Sequence, residues 1–144
     1  MSRFKKPQPP SGNPSISEAK KTAEKRASEL VNFSLKYLDG EHAKFTFSSH
    51  DGTYFCEVLE RLKSLSTLSK QEWLSSRSSA LRIHPIDWSE TTEEEGFNFP
   101  KHDEIVDTPY QFAVSGNEHG RTHGFFISNT FYIVWLDREH NLYA

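Results

Sequence analysis

Residues 121–137 read RTHGFFISNTFYIVWLD, two runs rich in aromatic and β-branched residues on either side of Ser128 and Asn129. Runs of this composition favour β-strands, and two intervening residues are the spacing of a tight hairpin. A third run of the same kind, PYQFAVSG, comes shortly before them at residues 109–116. The sequence therefore predicts a three-stranded antiparallel meander in the last third of the chain, with Trp135 in its core.

Upstream of the meander, two segments have the spacing of helices. Ser69 and Glu72 have the spacing of a capping box, which predicts a short helix over residues 69–76. A longer helix is predicted over residues 53–68, and Cys56 is expected on its buried side. Its apolar face has side chains three or four residues apart, namely Phe55, Val58, Leu59, Leu62 and Leu65. The two helices predict a helical hairpin.

The remaining segments between residues 33 and 108 have weaker patterns. Residues 33–39, FSLKYLD, alternate apolar and polar side chains, and residues 44–48, KFTFS, have strand composition, so an antiparallel pair is predicted there. Residues 78–108 show no sustained period, which predicts a loop pinned to the core by Ile86 and Trp88. This order of elements predicts an α+β fold, a small antiparallel sheet packed against a helical hairpin.

The N-terminal region differs in composition from the rest. Residues 1–16 are rich in proline and poor in apolar side chains, so we predict a disordered arm. Residues 17–32 contain good helix formers but are polar almost all round, which predicts a solvated helix or a partner-binding segment. The predicted single domain then covers residues 33–144.

The composition limits the classes of function. A single cysteine excludes an internal disulfide and any multi-cysteine metal site, and no apolar run is long enough to span a membrane. We therefore predict a cytoplasmic protein with no membrane partner. The net charge of −3 argues against a strongly basic nucleic-acid footprint, yet the second half of the chain concentrates cationic side chains. These are Arg82, His84, His119, Arg121, His123, Arg138 and His140.

The C-terminal segment carries the side chains that suggest chemistry. Arg121 and His123 lie two apart on a predicted strand and so share a face, while His140 and Tyr143 lie three apart near the end of the chain. Metal-independent RNA cleavage needs an imidazole to take the 2′-hydroxyl proton, an acid for the leaving oxygen, and a guanidinium for the phosphorane. We predict these four residues as catalytic. Predicted substrate contacts come from Arg82, His84, His119 and Arg138.

Other interpretations of the same residues remain open. Histidines in a small β-rich domain often serve as surface or hydrogen-bonded core residues, and a terminal tyrosine often only packs. His119 and His123 have a spacing that suits zinc on a helix, but their glycine-flanked, β-type context argues against one, so no metal and no cofactor are predicted. Cys56 is predicted to be a core residue and not a nucleophile.

The C-terminal pattern resembles the RelE/YoeB/ParE-type bacterial toxins, in which an arginine-bearing strand, a tight turn and an apolar strand precede a closing His and Tyr. The corresponding segments here are GRTHGFFI, SN, FYIVWLD and the pair His140 and Tyr143, and the likeness covers about residues 33–144. The resemblance implies a RelE-like fold and an endoribonuclease acting on mRNA, free or at the ribosome. It also implies that Arg121 binds phosphate, that His140 acts as acid or base, and that Tyr143 stacks on the substrate.

The same resemblance implies a biological setting and leaves a second class of function open. Such toxins belong to toxin–antitoxin or phage-defence systems, so an antitoxin protein is an expected partner beside mRNA or the ribosome. The alternative is a non-catalytic protein-binding module of similar fold that uses the same surface for a protein partner.

Overall fold

The computed structural model describes residues 14–75, 81–115 and 120–143. It contains helices and one five-stranded sheet, so the α+β class is confirmed. Two short 3-10 turns lie at Phe47–Ser49 and Trp88–Glu90. The other elements are α1 (Pro14–Glu29), β1 (Asn32–Ser34), α2 (Gly52–Leu65), α3 (Lys70–Ser75), β2 (His84–Pro85), α4 (His102–Ile105), β3 (Pro109–Ala113), β4 (Arg121–Ile127) and β5 (Thr130–Asp137).

The sheet has the strand order β1-β5-β4-β3-β2. Strands β3, β4 and β5 form the predicted antiparallel meander, and the turn between β4 and β5 is at Ser128 and Asn129, as the hairpin spacing predicted. Ser128 adopts a left-handed φ of 54°, which a tight two-residue turn requires. Strand β1 pairs parallel to β5, so the sheet is mixed and the prediction of a purely antiparallel sheet is wrong.

The predicted antiparallel pair at residues 33–48 does not form. Strand β1 ends at Ser34, and the chain then turns, with Leu35 left 61% exposed. In the second segment the Thr46 hydroxyl accepts the Ser48 N–H and caps a 3-10 turn. This local side-chain hydrogen bond replaces the ladder hydrogen bonds of a strand.

Helices α2 and α3 form where they were predicted. The Asp51 carboxylate caps α2 by accepting the Tyr54 N–H at 3.0 Å. Ser69 and Glu72 form the predicted capping box, with reciprocal hydrogen bonds of 2.9 and 3.1 Å. The buried face of α2 is centred on Tyr54, Val58 and Leu65, which differs from the predicted face. Leu59 is 65% exposed, and Cys56 is also exposed, so the prediction of a core cysteine is wrong.

Both faces of the sheet are buried. One face packs against α2 and α3, and we call its residues the helix-side cluster: Val31, Tyr54, Val58, Leu65, Trp73, Leu81, Phe112, Val114, Phe126, Phe131, Ile133 and Leu136. The other face is covered by loops, and its residues form the loop-side cluster: Phe45, Ile86, Phe97, Phe125, Val134, Trp135 and Leu142. Ile86 and Trp88 both pack there, as predicted, with Trp88 edge-on to Trp135 at 6.0 Å between ring centroids.

Strand β5 contains a β-bulge at Val134. His123 pairs with Trp135, but the next residue, Gly124, pairs with Ile133, so Val134 has no partner in β4. Two successive side chains, Val134 and Trp135, therefore face the loop-side cluster. Position 124 has no room for a side chain, because a Cβ there would lie 2.1 Å from the carbonyl oxygen of Tyr132.

The N-terminal region is described from residue 14 onward. Residues 1–13 of the predicted arm lie outside the described residues, and residues 14–16 form the first residues of α1. From Ser17 to Glu29 every side chain of α1 is exposed, as expected for a polar helix. Among the described helices, none has the length and apolar character needed to cross a membrane.

The bulge predicts a specific effect of a single methyl group. Gly124→Ala should lower the free energy of unfolding by more than about 3 kcal/mol, because a backbone oxygen cannot move aside as a flexible side chain can. Gly52→Ala is the matched control, since a Cβ there meets nothing within 4 Å, and its stability should be unchanged or raised by up to about 1 kcal/mol. Urea unfolding measures both. Equal stabilities would show that β4 and β5 do not approach as described.

The loop-side cluster predicts a second effect. Trp135→Ala should cost about 3–5 kcal/mol, because the indole is fully buried between the sheet and the loops. Leu59→Ala, on the exposed side of α2, should change stability by less than about 0.5 kcal/mol. Thermal and urea unfolding of both variants provide the measurement, and a Trp135→Ala protein as stable as the wild type would mean that the faces of β5 are reversed.

Candidate functional site

Side chains from four separate parts of the chain line a cleft of about 250 Å³. We call it the basic cleft. Its residues come from residues 82–84 at the start of β2, from β3, from β4, and from the C-terminal tail after β5. They are Arg82, His84, Gln111, Arg121, His140 and Tyr143. Five of the six were predicted from the sequence as catalytic or substrate-binding residues, and the fold brings them together.

Arg121 lies deep in the cleft. As the first residue of β4 it is paired with Ala113 on one side and Asp137 on the other, and it is only 5% exposed. Burial and the neighbouring charge of Arg82 lower the pKa of Arg121, while the charge of Asp137 raises it. The pKa of a guanidinium is far above neutral pH, so Arg121 stays charged. Two guanidiniums therefore contribute positive charge to one small cleft.

His84 has a defined hydrogen-bonding state. Its Nδ1 lies 2.8 Å from the Pro85 carbonyl oxygen, and its Nε2 lies 3.1 Å from Nε2 of Gln111. An amide nitrogen only donates, so Nε2 of His84 accepts and Nδ1 carries the proton that binds the carbonyl. Both ring nitrogens are therefore engaged within the protein.

Tyr143 lies between the two imidazoles of the cleft. Its ring is edge-on to His84 at 6.0 Å and to His140 at 6.1 Å between centroids. Burial raises the pKa of Tyr143, against the effect of a hydrogen bond from the Asp87 backbone, so the phenol stays protonated at neutral pH. Its main chain forms a β-bridge with Thr91, which holds the end of the tail against the loop layer.

The tail that carries His140 and Tyr143 is anchored by Asp137. This carboxylate is fully buried and accepts the backbone N–H groups of Asn141 at 2.7 Å and Leu142 at 2.9 Å. On its other side the tail is held by Thr92, whose N–H donates to the Leu142 carbonyl at 2.6 Å. The tail is therefore fixed from both sides, with the Leu142 side chain buried in the loop-side cluster.

His123 is placed beneath the cleft and does not line it. It is fully buried, and its Nε2 donates to Oδ2 of Asp137 at 3.0 Å. Burial lowers the pKa of His123 despite the neighbouring carboxylate, so the ring is neutral. Burial alone would raise the pKa of Asp137, but the hydrogen bonds from His123 and from two backbone N–H groups bring it below its usual value. The sequence pattern predicted that Arg121 and His123 share a strand face, but it did not predict that the His123 side chain is fully buried.

Two other predicted substrate contacts are not part of the cleft as described. Arg138 points to the α2 side of the sheet, 5.9 Å above the Tyr54 ring and 3.1 Å from Glu139. There it lines a different cleft, of about 340 Å³, together with acidic residues of α2 and its cap. His119 lies outside the described residues.

Sequence reasoning missed Gln111 and Asp137. Gln111 is 2% exposed in the middle of an apolar strand, where a buried amide indicates a hydrogen-bonding role. Asp137 ends the apolar run FYIVWL, and the only available signal was a carboxylate directly after a buried strand. Among the described residues, no group of three His, Cys, Asp or Glu side chains is placed to hold a metal ion.

Fold and cleft together define an α+β domain with a mixed sheet and a basic, aromatic-lined cleft at its loop-covered face. Comparison of the chain with models of protein families, with curated proteins and with solved structures finds no match. The functional argument therefore depends on the geometry of the cleft.

The buried His123 predicts how stability depends on pH. In the folded protein its pKa lies below the ordinary 6.5, so below that pH the unfolded chain binds a proton that the folded chain does not. The contribution of the neutral His123 to the free energy of unfolding should therefore be fully present above about pH 7. It should decrease as the pH is lowered from about 6.5 toward 5. Urea midpoints measured at several pH values in this interval give the slope.

The matched variants are His123→Gln and His50→Gln. Burial and the charge of Arg138 lower the pKa of His50, so His50 contributes to the slope in the same direction. Each variant should show a shallower loss of stability with acid than the wild type. If His123→Gln has the full wild-type slope, then His123 is not held neutral in the folded state.

Proposed function

We propose that this chain is a toxin-type, metal-independent endoribonuclease that acts on mRNA within a bacterial toxin–antitoxin or phage-defence system. The observation that supports this proposal is the convergence of two arginines, two histidines and a tyrosine in one cleft. These residues are distant in sequence, and they are the side chains that metal-independent RNA cleavage requires. The resemblance of the C-terminal pattern to RelE-type toxins agrees with the same function.

Arg82 and Arg121 are proposed to bind the scissile phosphate. The protein as a whole is acidic, with a net charge of −3, so electrostatic attraction for RNA has to come from a local site. Two guanidiniums beside a concave surface supply that site, and the planar donor pattern of arginine matches phosphate oxygens. As the phosphorane develops additional negative charge, the same guanidiniums stabilise the transition state more than the ground state.

His140 and Tyr143 are proposed to transfer the protons. His140, one of the two imidazoles that line the cleft, is proposed to accept the 2′-hydroxyl proton. The 2′ oxygen then attacks phosphorus, the bond to the 5′ oxygen breaks, and that oxygen leaves with a proton from the Tyr143 phenol. The raised pKa of Tyr143 keeps this proton in place at neutral pH. The products are a 2′,3′-cyclic phosphate and a 5′-hydroxyl, and no metal takes part.

The size of the cleft favours a single-stranded substrate. A volume of about 250 Å³ is small for a ligand site and suits one phosphate with an adjoining nucleoside. The Tyr143 ring offers a surface on which an unpaired base stacks. An mRNA strand, free or on the ribosome, is therefore the proposed substrate, and an antitoxin protein that covers the cleft is the proposed inhibitor.

A second candidate function is a non-catalytic protein-binding module. Helix α1 favours it, because all its side chains from Ser17 to Glu29 are exposed. A helix with no buried face is marginally stable, and a protein partner would stabilise it.

Cleavage assays distinguish the two functions. Arg82→Ala, Arg121→Lys and His140→Gln should each lower the cleavage rate by about 10² to 10³, because each removes a donor or proton acceptor used in the transition state. Arg121 is changed to lysine and not alanine because its guanidinium is buried beside Asp137 and the lysine keeps the charge. The matched control is Arg138→Ala, which removes an arginine outside the basic cleft and should leave the rate unchanged. EDTA should have no effect.

The purified protein is assayed on free mRNA and on translating ribosomes, with the products analysed for 2′,3′-cyclic phosphate. Circular dichroism confirms that each variant is folded. If the wild-type protein cleaves RNA in neither assay, the endoribonuclease is rejected and the binding module is retained. If Arg138→Ala loses as much activity as Arg82→Ala, the site lies elsewhere.

A further inference from the structure

A groove with acidic side chains lies on the helix side of the sheet, at the end where β4 begins and β5 ends. It consists of two adjoining clefts, of about 340 and 370 Å³, which share Glu57 and Val114. Its residues come from α2 with its cap, from both ends of the β3–β4 connection, and from the segment after β5. We call it the acidic groove, and its charged residues are Asp51, Glu57, Glu60, Arg61, Arg138 and Glu139.

The acidic groove attracts cations because its two arginines are already engaged. Four carboxylates against two guanidiniums give it a net charge of −2. The Arg138 guanidinium lies 3.1 Å from the carboxylate of the next residue, and Nε of Arg61 donates to the Val114 carbonyl at 2.8 Å. Glu57 and Glu60 are both exposed, and neither forms an ion pair among the described residues. Two carboxylates of α2 are therefore available to a cationic partner.

The acidic groove also contains a buried hydroxyl. Tyr54 is only 4% exposed, and its phenol oxygen has no hydrogen-bond partner among the described residues. Of the four charged groups that act on this phenol, three belong to the groove, namely Glu57, Arg138 and Glu139. Burial raises the pKa of Tyr54, so the phenol keeps its proton at neutral pH. A buried tyrosine hydroxyl usually has a partner, so this one indicates a polar group supplied from outside the domain.

The chain itself contains a cationic segment that complements the groove. Residues 1–13, MSRFKKPQPPSGN, include Arg3, Lys5 and Lys6 and no acidic residue, so their side chains carry a net charge of +3. The whole chain has a net charge of −3, so the remainder carries −6. A segment this poor in apolar residues becomes ordered only against a partner surface. Opposite charges therefore favour its association with the acidic groove.

The position of α1 favours the groove of a second copy over the groove of the same chain. The C-terminal end of α1 is tied to the β4–β5 turn, because Nδ2 of Asn129 donates to the Ser28 carbonyl at 2.8 Å. The groove lies at the opposite end of β5, about 25 Å away for a strand of this length. A helix that ran back along the domain would bury one face, yet every side chain from Ser17 to Glu29 is exposed.

We propose that residues 1–13 of one copy bind in the acidic groove of a second copy. The cationic side chains of the segment pair with the carboxylates of Glu57 and Glu60, and the Tyr54 hydroxyl donates to a carbonyl of the bound segment. Each copy has one segment and one groove, so a reciprocal exchange occupies both grooves in a closed two-fold dimer. The basic cleft lies on the other face of the sheet, so the dimer does not depend on the proposed function.

The oligomeric state of the full chain tests the exchange. The wild type should be a dimer at low ionic strength, and its dissociation constant should rise with added salt, because exposed ion pairs are screened. Lys5→Glu with Lys6→Glu places like charges in contact, and Glu57→Lys with Glu60→Lys does so from the other side. Each doubly substituted chain should have a dissociation constant raised by at least about tenfold. Sedimentation equilibrium measures these constants.

Mixing the two doubly substituted chains gives the sharpest measurement. The acidic segment of the first chain complements the basic groove of the second, and the basic segment of the second complements the acidic groove of the first. The mixture should therefore form a dimer under conditions in which each chain alone dissociates. Binding of the segment within its own chain would not be restored by mixing.

Two further variants separate the groove from general effects. Glu94→Lys with Glu95→Lys is the matched control, because both carboxylates are exposed, lie outside the groove, and change the net charge by the same amount. Its dissociation constant should equal that of the wild type. Tyr54→Phe removes only the hydroxyl and should weaken the dimer by about 3- to 10-fold without lowering the stability of the folded chain.

Three results would overturn the proposal. The first is a wild type that stays monomeric at low ionic strength and high micromolar concentration. The second is a mixture of the two doubly substituted chains that does not dimerise, although circular dichroism shows that both are folded. The third is an equal loss of affinity in the matched control, because net charge and not the acidic groove would then determine association.

Discussion

The buried carboxylate of Asp137 is the interaction on which the site depends. A carboxylate leaves water only at a large free-energy cost, which hydrogen bonds from His123, Asn141 and Leu142 offset here. Loss of one of these hydrogen bonds would leave the buried charge with one donor fewer, which typically costs about 1–3 kcal/mol and more for a charged group. The same oxygens therefore tie the last strand to the tail, and the position of His140 and Tyr143 follows from them.

The sheet supports the site because both of its faces are covered, each in a different way. Helices α2 and α3 cover one face with an apolar layer. Loops cover the other face, and a loop layer leaves a gap at the level of β2 and β3 where the basic cleft opens. The bulge in β5 increases the apolar area on the loop side by turning both Val134 and Trp135 toward it. The basic cleft and the loop-side cluster therefore lie on the same face of the sheet.

Most of the cleft could be predicted from the kinds of side chain alone. Arg121, His140 and Tyr143 are reactive residues within an apolar segment, and Arg82 and His84 were proposed as substrate contacts from their charge. The sequence did not indicate that His123 lies below the cleft, or that Gln111 replaces it at the surface of the site. Two residues on one strand face look equivalent in sequence, and their exposure depends on which loop packs over each of them.

The sequence by itself determined the meander, the hairpin turn, helices α2 and α3 with their caps, and the α+β class. These depend on interactions between residues close in the chain: alternation, turn geometry and capping hydrogen bonds. The tertiary structure alone decided that β1 pairs parallel to β5, that Cys56 and Leu59 face outward, and that residues 82, 121 and 143 meet in one cleft. These outcomes depend on contacts between distant segments, whose free energies no local pattern contains.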